Sequence, residues 1–230
     1  MPKERLFGGL PPAEVRRLIG VATRRRFARN EVVFHLGDPA DTLHLVLRGR
    51  FASRIETEGG DRLIVAVHGP GEAFGELALL DLEQARSTTV TALEAGETYA
   101  IRRGDFTRLR QQYPSVNDVL VRLLAARVRR MNRLLAEAYS VPAERRVLRR
   151  LLELASSYGD EGDVVVVPLS QADLAGLAGT SRATVNRVLR AEERRGSVSV
   201  RRGATRVVDR SALMKRAGSS CGCDSRRAPT

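Results

Sequence analysis

In the stretch FGELALLDLEQARSTTV, residues 74–90, the pair Gly75-Glu76 precedes the pair Arg86-Ser87 by eleven positions. A packed core has little use for a glycine, a carboxylate and a guanidinium spaced this way. A small molecule that is both anionic and hydroxylated would use all three. Gly75 lets the backbone turn closely round a ligand, and the amides of Leu77 and Ala78 follow at an expected helix start, where N–H groups gather negative charge. The planar fork of Arg86 offers charge-assisted hydrogen bonds that lysine does not match in geometry. Glu76 supplies an acceptor for a hydroxyl, and Ser87 one further donor.

A second constellation lies in LSQADLAGLAGTSRATVNRVLRAEERRG, residues 169–196. Ser170 followed by Asp173 is a capping-box start, and AGT reads as a turn into a second helix beginning near Ser181. Arg182 and Arg187 then project from the solvent face of that helix. In a major groove each could grip guanine O6 and N7, at about 1–3 kcal/mol of discrimination. Ser181, Thr184 and the helix-start amides are placed for phosphates, with Arg201 and Arg202 at the tip of a following hairpin. Two short helices, a small-residue turn and a basic hairpin describe a winged helix-turn-helix. The bland alternative is a helical hairpin that binds protein.

These groups need a scaffold. Residues 11–27 read as one amphipathic helix, with Val15, Leu18, Ile19 and Ala22 at helical spacing. From Asn30 to Arg102, short apolar runs such as TLHLVL and RLIVAV alternate with Gly/Asp turns, the pattern of an antiparallel sandwich or barrel. A long helix is expected from Pro114-Ser115 to about Ser140. Along it Asn117, Val121, Leu124, Val128, Met131, Leu135 and Ala138 step by four and three, a heptad seam that would zip two copies together. Packing of the stripe on its own domain is the plainer alternative. Pro142 marks a break, with a hinge expected at residues 140–142. A fresh helix to Gly159 and a strand in DVVVVPL follow, and SVSVRRGATRVVD reads as two strands round an Arg-Arg-Gly tip.

The chain has 230 residues and a formal net charge of +12. Residues 1–140 hold 22 basic and 17 acidic side chains, and residues 141–230 hold 17 and 10, so the C-terminal part is the denser positive field. That suits a polyanion such as DNA, although arginine-rich composition alone produces the same balance. No apolar run approaches a membrane span and no secretion signal opens the chain, so a cytoplasmic location is the expectation. No P-loop or nucleophile motif is present, which argues against an enzyme.

FHLGDPADTLHLVLRGR, FGELALLDLEQARSTTV and LSQADLAGLAGTSRATVNRVLR, in this order, resemble the cyclic AMP receptor protein and fumarate-nitrate regulator (Crp/Fnr) family. The resemblance spans nearly the whole chain. It implies an α+β fold: a β-roll sensor (a cyclic-nucleotide-binding-like jelly roll) in residues 1–112, a dimerisation helix in 113–140, a winged helix-turn-helix in 141–217 and a disordered tail from 218. It implies a homodimeric transcription regulator that binds a pseudo-palindromic operator in double-stranded DNA, with RNA polymerase a candidate second partner.

Within that family the opening stretch resembles the phosphate-binding cassette of cyclic-nucleotide sensors. Arg86 and Ser87 would hold the cyclic phosphate and Glu76 the ribose 2′-hydroxyl, with cyclic AMP the first expectation and cyclic GMP the second. Met131-Asn132 fall where the family's base-contacting polar pair lies, and methionine there departs from the pattern. On the recognition helix, Ala183 stands where the family often has glutamate, which alters discrimination at one base. Family members that sense other signals carry an iron–sulfur cluster or haem. A cluster needs four thiolates, and Cys221 and Cys223 are only two; His35, His44 and His68 read as surface or satisfied core. No metal, haem or cluster is therefore expected. A ligand-independent regulator with a vestigial pocket, or a cyclic-nucleotide module serving an enzyme partner, are the alternatives.

Overall fold

The computed structural model describes residues 12–57, 62–80, 85–159 and 164–218. Its contacts divide the chain into two compact units, the first ending at Leu135 and the second starting at Ala136.

The first unit begins with α1 (Pro12–Gly20) and continues through β1 (Thr23–Phe27), β2 (Val32–Phe34), β3 (Thr42–Arg48), β4 (Phe51–Glu56), β5 (Arg62–His68), β6 (Ala73–Phe74), a 3₁₀ turn at Glu76–Leu79, β7 (Thr89–Ala92) and β8 (Gly96–Arg102). α2 (Arg103–Gln112) and the long α3 (Val116–Ser140) follow. The strands form two four-stranded antiparallel sheets, ordered β1-β8-β3-β6 and β2-β7-β4-β5. Strand alternation sends Phe27, Phe34, Val46, Phe51, Phe74, Val90 and Ala92 to one shared core. The other face of the first sheet buries Leu43, Leu45 and Ile101 against Leu18 of α1, Phe106 and Leu109 of α2, and Val116 and Leu120 of α3.

The expected helix over 11–27 is corrected: it stops at Gly20, and Thr23–Phe27 is an edge strand paired with β8. Arginines 24–26 have no apolar partner for a helical stripe. In the strand, Arg24 and Arg26 instead ion-pair with Glu97 of the neighbouring strand, and the charge protects an open edge. α2 lay unread in the sequence, because its arginine-rich face hides the two buried positions, Phe106 and Leu109.

The second unit carries α4 (Ala143–Tyr158), β9 (Val165–Val167), α5 (Gln171–Ala178), α6 (Arg182–Arg194), β10 (Val198–Arg201), β11 (Ala204–Val207) and α7 (Arg210–Ala217). The chain leaves helix between Ser140 and Ala143, where Pro142 was expected to break it. A three-stranded sheet, β10-β11-β9, packs beside the helices. α7 is another unread helix: Asp209 caps it by accepting from the Ala212 amide at 2.9 Å, and Gly218 closes it in the left-handed region. Cys221, Cys223 and the expected tail beyond Gly218 lie outside the described residues.

Candidate functional site

Gly75 starts the 3₁₀ turn at φ 77°, a conformation costly for any residue with a Cβ. A Cβ there would also stand 2.9 Å from Arg86 Nη1 and 3.0 Å from the Thr42 carbonyl. Glycine is thus what allows the turn and the guanidinium to lie against one another. Around them lies a small cleft, lined by Gly75, Glu76, Leu77, Ala78, Arg86 and Ser87 from the expected set. Phe34, Ala40, Ser53, Ala85, Thr88 and Arg127 complete the wall.

The Arg86 side chain is 4% exposed. It donates to the Thr42 carbonyl at 2.7 Å and to Thr42 Oγ1 at 2.6 Å, lies 3.4 Å from an Asp41 carboxylate oxygen, and stacks 4.0 Å over the Phe34 ring. Its Nε is buried without a hydrogen-bond partner. Burial depresses its pKa, Asp41 and Asp38 oppose that, and nearby Arg103 adds to it. A buried cation with an unmatched N–H, whose paired carboxylate Asp41 is itself largely exposed, is a site that gains from an incoming anion.

Glu76 is buried rather than exposed on the turn. Its Oε1 lies 3.1 Å from Arg127 Nη1, yet is not aligned for a hydrogen bond and counts as unmatched. An acceptor held beside a cation and still short of a donor fits a ligand hydroxyl. The Ala78 amide differs from expectation. It donates to the Gly75 carbonyl at 3.1 Å, because the turn closes by an i→i+3 bond, and so faces into the turn.

Arg127 was missed by sequence reasoning. It sits among many arginines in a heptad-like helix, and only the packing of α3 against the sensor singles it out. Met131 and Asn132, one turn further on, are exposed and are not brought to this cleft. The three histidines have other roles. His35 is exposed, while His44 bonds Thr98 Oγ1 at 3.0 Å and stacks on Phe74, and His68 bonds Ser53 at 2.9 Å. Burial drives both of the latter down to a pKa of about 3.

In the second unit the Ser170–Asp173 capping box is complete, and Gly179 makes the turn in the left-handed region. Ser181 caps α6 by accepting from the Thr184 amide at 3.2 Å. Val185, Val188 and Leu189 face inward, leaving Arg182, Asn186 and Arg187 exposed on the outer face. Arg187 is held 2.8 Å from Glu144, in an exposed pair of little strength. Arg201 and Arg202 are exposed at the hairpin tip, where Gly203 turns at φ 75°. Beneath this surface, Glu192 of α6 receives Arg216 at 2.9 Å, Arg195 at 2.7 Å and Ser197 at 2.7 Å, tying the helix to the hairpin and α7. Burial alone would raise its pKa, and those donors hold it below the usual range.

Comparison with known proteins agrees with this division of labour. The cyclic nucleotide-binding domain family matches residues 24–113, and the Crp-like helix-turn-helix domain family matches residues 145–216. The cyclic AMP receptor protein of Thermus thermophilus is 36% identical over 90% of this chain and 94% of its own length. A CRP-like cAMP-activated global transcriptional regulator of Mycobacterium tuberculosis is 29% identical over 92% and 96%. Among solved structures, the c-di-GMP-responsive global regulator CLP of Xanthomonas campestris superposes with a TM-score of 0.75 at 23% identity, covering 86% of this chain and 100% of that one, which speaks to the fold.

Proposed function

Because the chain belongs to the Crp family of transcription regulators, with a cyclic nucleotide-binding domain and a Crp-like helix-turn-helix, we propose that it is a homodimer whose operator binding is switched by a cyclic nucleotide, cyclic AMP foremost. The observation that carries this reading is the buried Arg86 guanidinium, facing a cleft with its Nε unmatched and Gly75 cleared away in front of it. A cyclic phosphodiester would take the guanidinium in place of the Asp41 and Thr42 side chains, and Ser87 would add a donor. Glu76 would accept from the ribose 2′-hydroxyl.

Arg127 lies on α3 and Glu76 in the cassette, so a ligand engaging Glu76 also acts on the helix that carries the seam. Val121, Val128, Met131 and Leu135 leave that seam exposed on the single chain, which supports pairing with a second copy, while Leu124 is partly turned to the sensor's own core. The nucleotide shifts the arrangement of the DNA-binding units only by as much as its affinities for the two states differ. On the DNA side, Arg182 and Arg187 would read base edges and Ser181, Thr184, Arg201 and Arg202 would hold phosphates.

One observation favours a second reading. Arg86 already has strong bonds to Thr42, as it would in a ligand-independent regulator with a vestigial pocket. Calorimetric titration of the wild-type protein and of Arg86→Ala with cyclic AMP and cyclic GMP separates the two. The proposal expects binding by the wild type and a loss of at least about 100-fold in the variant, the worth of a buried charge-assisted pair. Absence of heat with both nucleotides, together with unaltered operator binding, selects the vestigial pocket.

A further inference from the structure

The inner face of β4 carries a hydroxyl in an apolar setting. Ser53 follows the buried Phe51 at the same-face interval and stands opposite Val90 of β7, on a wall otherwise filled by the aromatic core. It is 1% exposed, yet it lines the cleft. Its Oγ is fixed by one bond, 2.9 Å to Nε2 of His68 on β5, which is itself buried and packed 5.4 Å from the Phe74 ring.

A serine hydroxyl has one donor and two acceptor positions. His68 uses one of them, and burial beside Arg127 and Arg130 keeps that imidazole neutral at physiological pH. If Nε2 carries the ring proton, the serine proton is left for the cleft; if it does not, the serine lone pairs are left. Either way an oriented, uncharged hydrogen-bonding group remains at the cleft wall. The cassette residues Gly75, Glu76, Arg86 and Ser87 provide for sugar and phosphate, and Arg127 is paired with Glu76. Ser53 and Thr88 line the same cleft, and on that division the part of such a ligand left for Ser53 is the base. Charged groups do not suit this position, since a buried neutral hydroxyl repays the desolvation of a neutral polar edge far more readily than that of an ion.

We propose that Ser53, oriented by His68, reads the polar six-membered-ring edge of a purine and so sets base selectivity within one chain, where Met131 and Asn132 do not reach the cleft. This rests on the reading of the cleft as a cyclic-nucleotide site. The pairing is a specificity device because a site built to bond a polar edge penalises a ligand that lacks it by leaving its own group unmatched.

The test compares affinities for cyclic AMP, cyclic GMP and benzimidazole riboside 3′,5′-cyclic phosphate, which keeps the fused-ring shape but has carbon in place of the six-ring nitrogens and no exocyclic group. In the wild type the better of the two natural nucleotides should bind about tenfold more tightly than the benzimidazole compound, the worth of one such bond. Ser53→Ala should remove that gap by weakening the natural nucleotide, leaving the benzimidazole affinity within about twofold, and Ser53→Thr should restore it. Because Ser53→Ala strands a buried imidazole nitrogen, the double variant Ser53→Ala/His68→Leu, which removes both partners, gives the same reading on a relieved core. Equal losses for all three ligands, or no loss for any, overturn the assignment while leaving the nucleotide site intact. Failure of the wild type to bind any of the three removes the nucleotide reading itself, and this inference with it.

Discussion

Arg86 shows how a single side chain can be both buried and poised. Its bonds to Thr42 hold it in place, and the unmatched Nε with a depressed pKa leaves it an electrostatic reason to accept an anion. The arrangement depends on Gly75, so Gly75→Ala is expected to cost about 1–2 kcal/mol, from the left-handed backbone and a Cβ pressed on the Thr42 carbonyl. It should also weaken nucleotide binding by displacing the guanidinium; thermal melting and calorimetry check the two effects separately. The buried histidines make a second residue-scale prediction. His44 and His68 sit at a pKa of about 3 in the folded chain, against about 6.5 when unfolded. Between these values the unfolded chain binds protons that the folded chain refuses. Stability is therefore full above about pH 6.5 and falls as the pH drops toward 3, by up to ~1.4 kcal/mol per pH unit for each histidine. Urea midpoints at pH 7 and pH 5 measure this; a midpoint that holds steady or rises on acidification contradicts it.

At the scale of elements, the helix-turn-helix keeps the side chains that hold the fold apart from those proposed to read DNA. The capping box of α5 and the Glu192 cluster under α6 hold the helices, while Arg182 extends into solvent. Substituting them should therefore separate the two functions. Ser170→Ala removes one reciprocal cap and is expected to lower stability by about 1 kcal/mol with little change in operator affinity. Arg182→Ala should leave the melting temperature unchanged and cost roughly 1–3 kcal/mol in operator binding, with relaxed preference at one base pair. Melting curves and gel-shift titrations on both variants decide it, and coupled losses in either one would show that the division is wrong. Local signals of this kind were legible in advance: a cap, a left-handed glycine and a 3.6-residue stripe each depend on neighbours a few positions away. α1 was overextended and α2 and α7 passed unread for the same reason, because arginine-rich faces blur the stripe that local reading depends on.

At the scale of the molecule, the exposed seam of α3 states a prediction about assembly. Val128 and Leu135 lie seven residues apart on one face, both more than half exposed on the single chain. Val128→Glu/Leu135→Glu should convert a dimer to a monomer in sedimentation velocity while the far-ultraviolet circular dichroism of the fold persists, since Leu120 and the core positions face the other way. A dimer that survives the pair of charges would mean that another surface joins the copies. The same scale marks where sequence reading ends. Turn glycines, caps and heptad spacing were enough to read an antiparallel sandwich or barrel, a long helix and a winged helix-turn-helix in that order, and to nominate Gly75, Glu76, Arg86 and Arg182, because each of those signals is carried within one short window. The partners that give the cleft its chemistry are not local. Arg86 meets Thr42 across 44 residues, Glu76 meets Arg127 across 51, and Ser53 meets His68 across 15. Strand alternation states which residues share a face but not which strand lies alongside. Only the pairing of β4 with β5 and the docking of α3 on the sensor decided which side chains would stand within bonding distance.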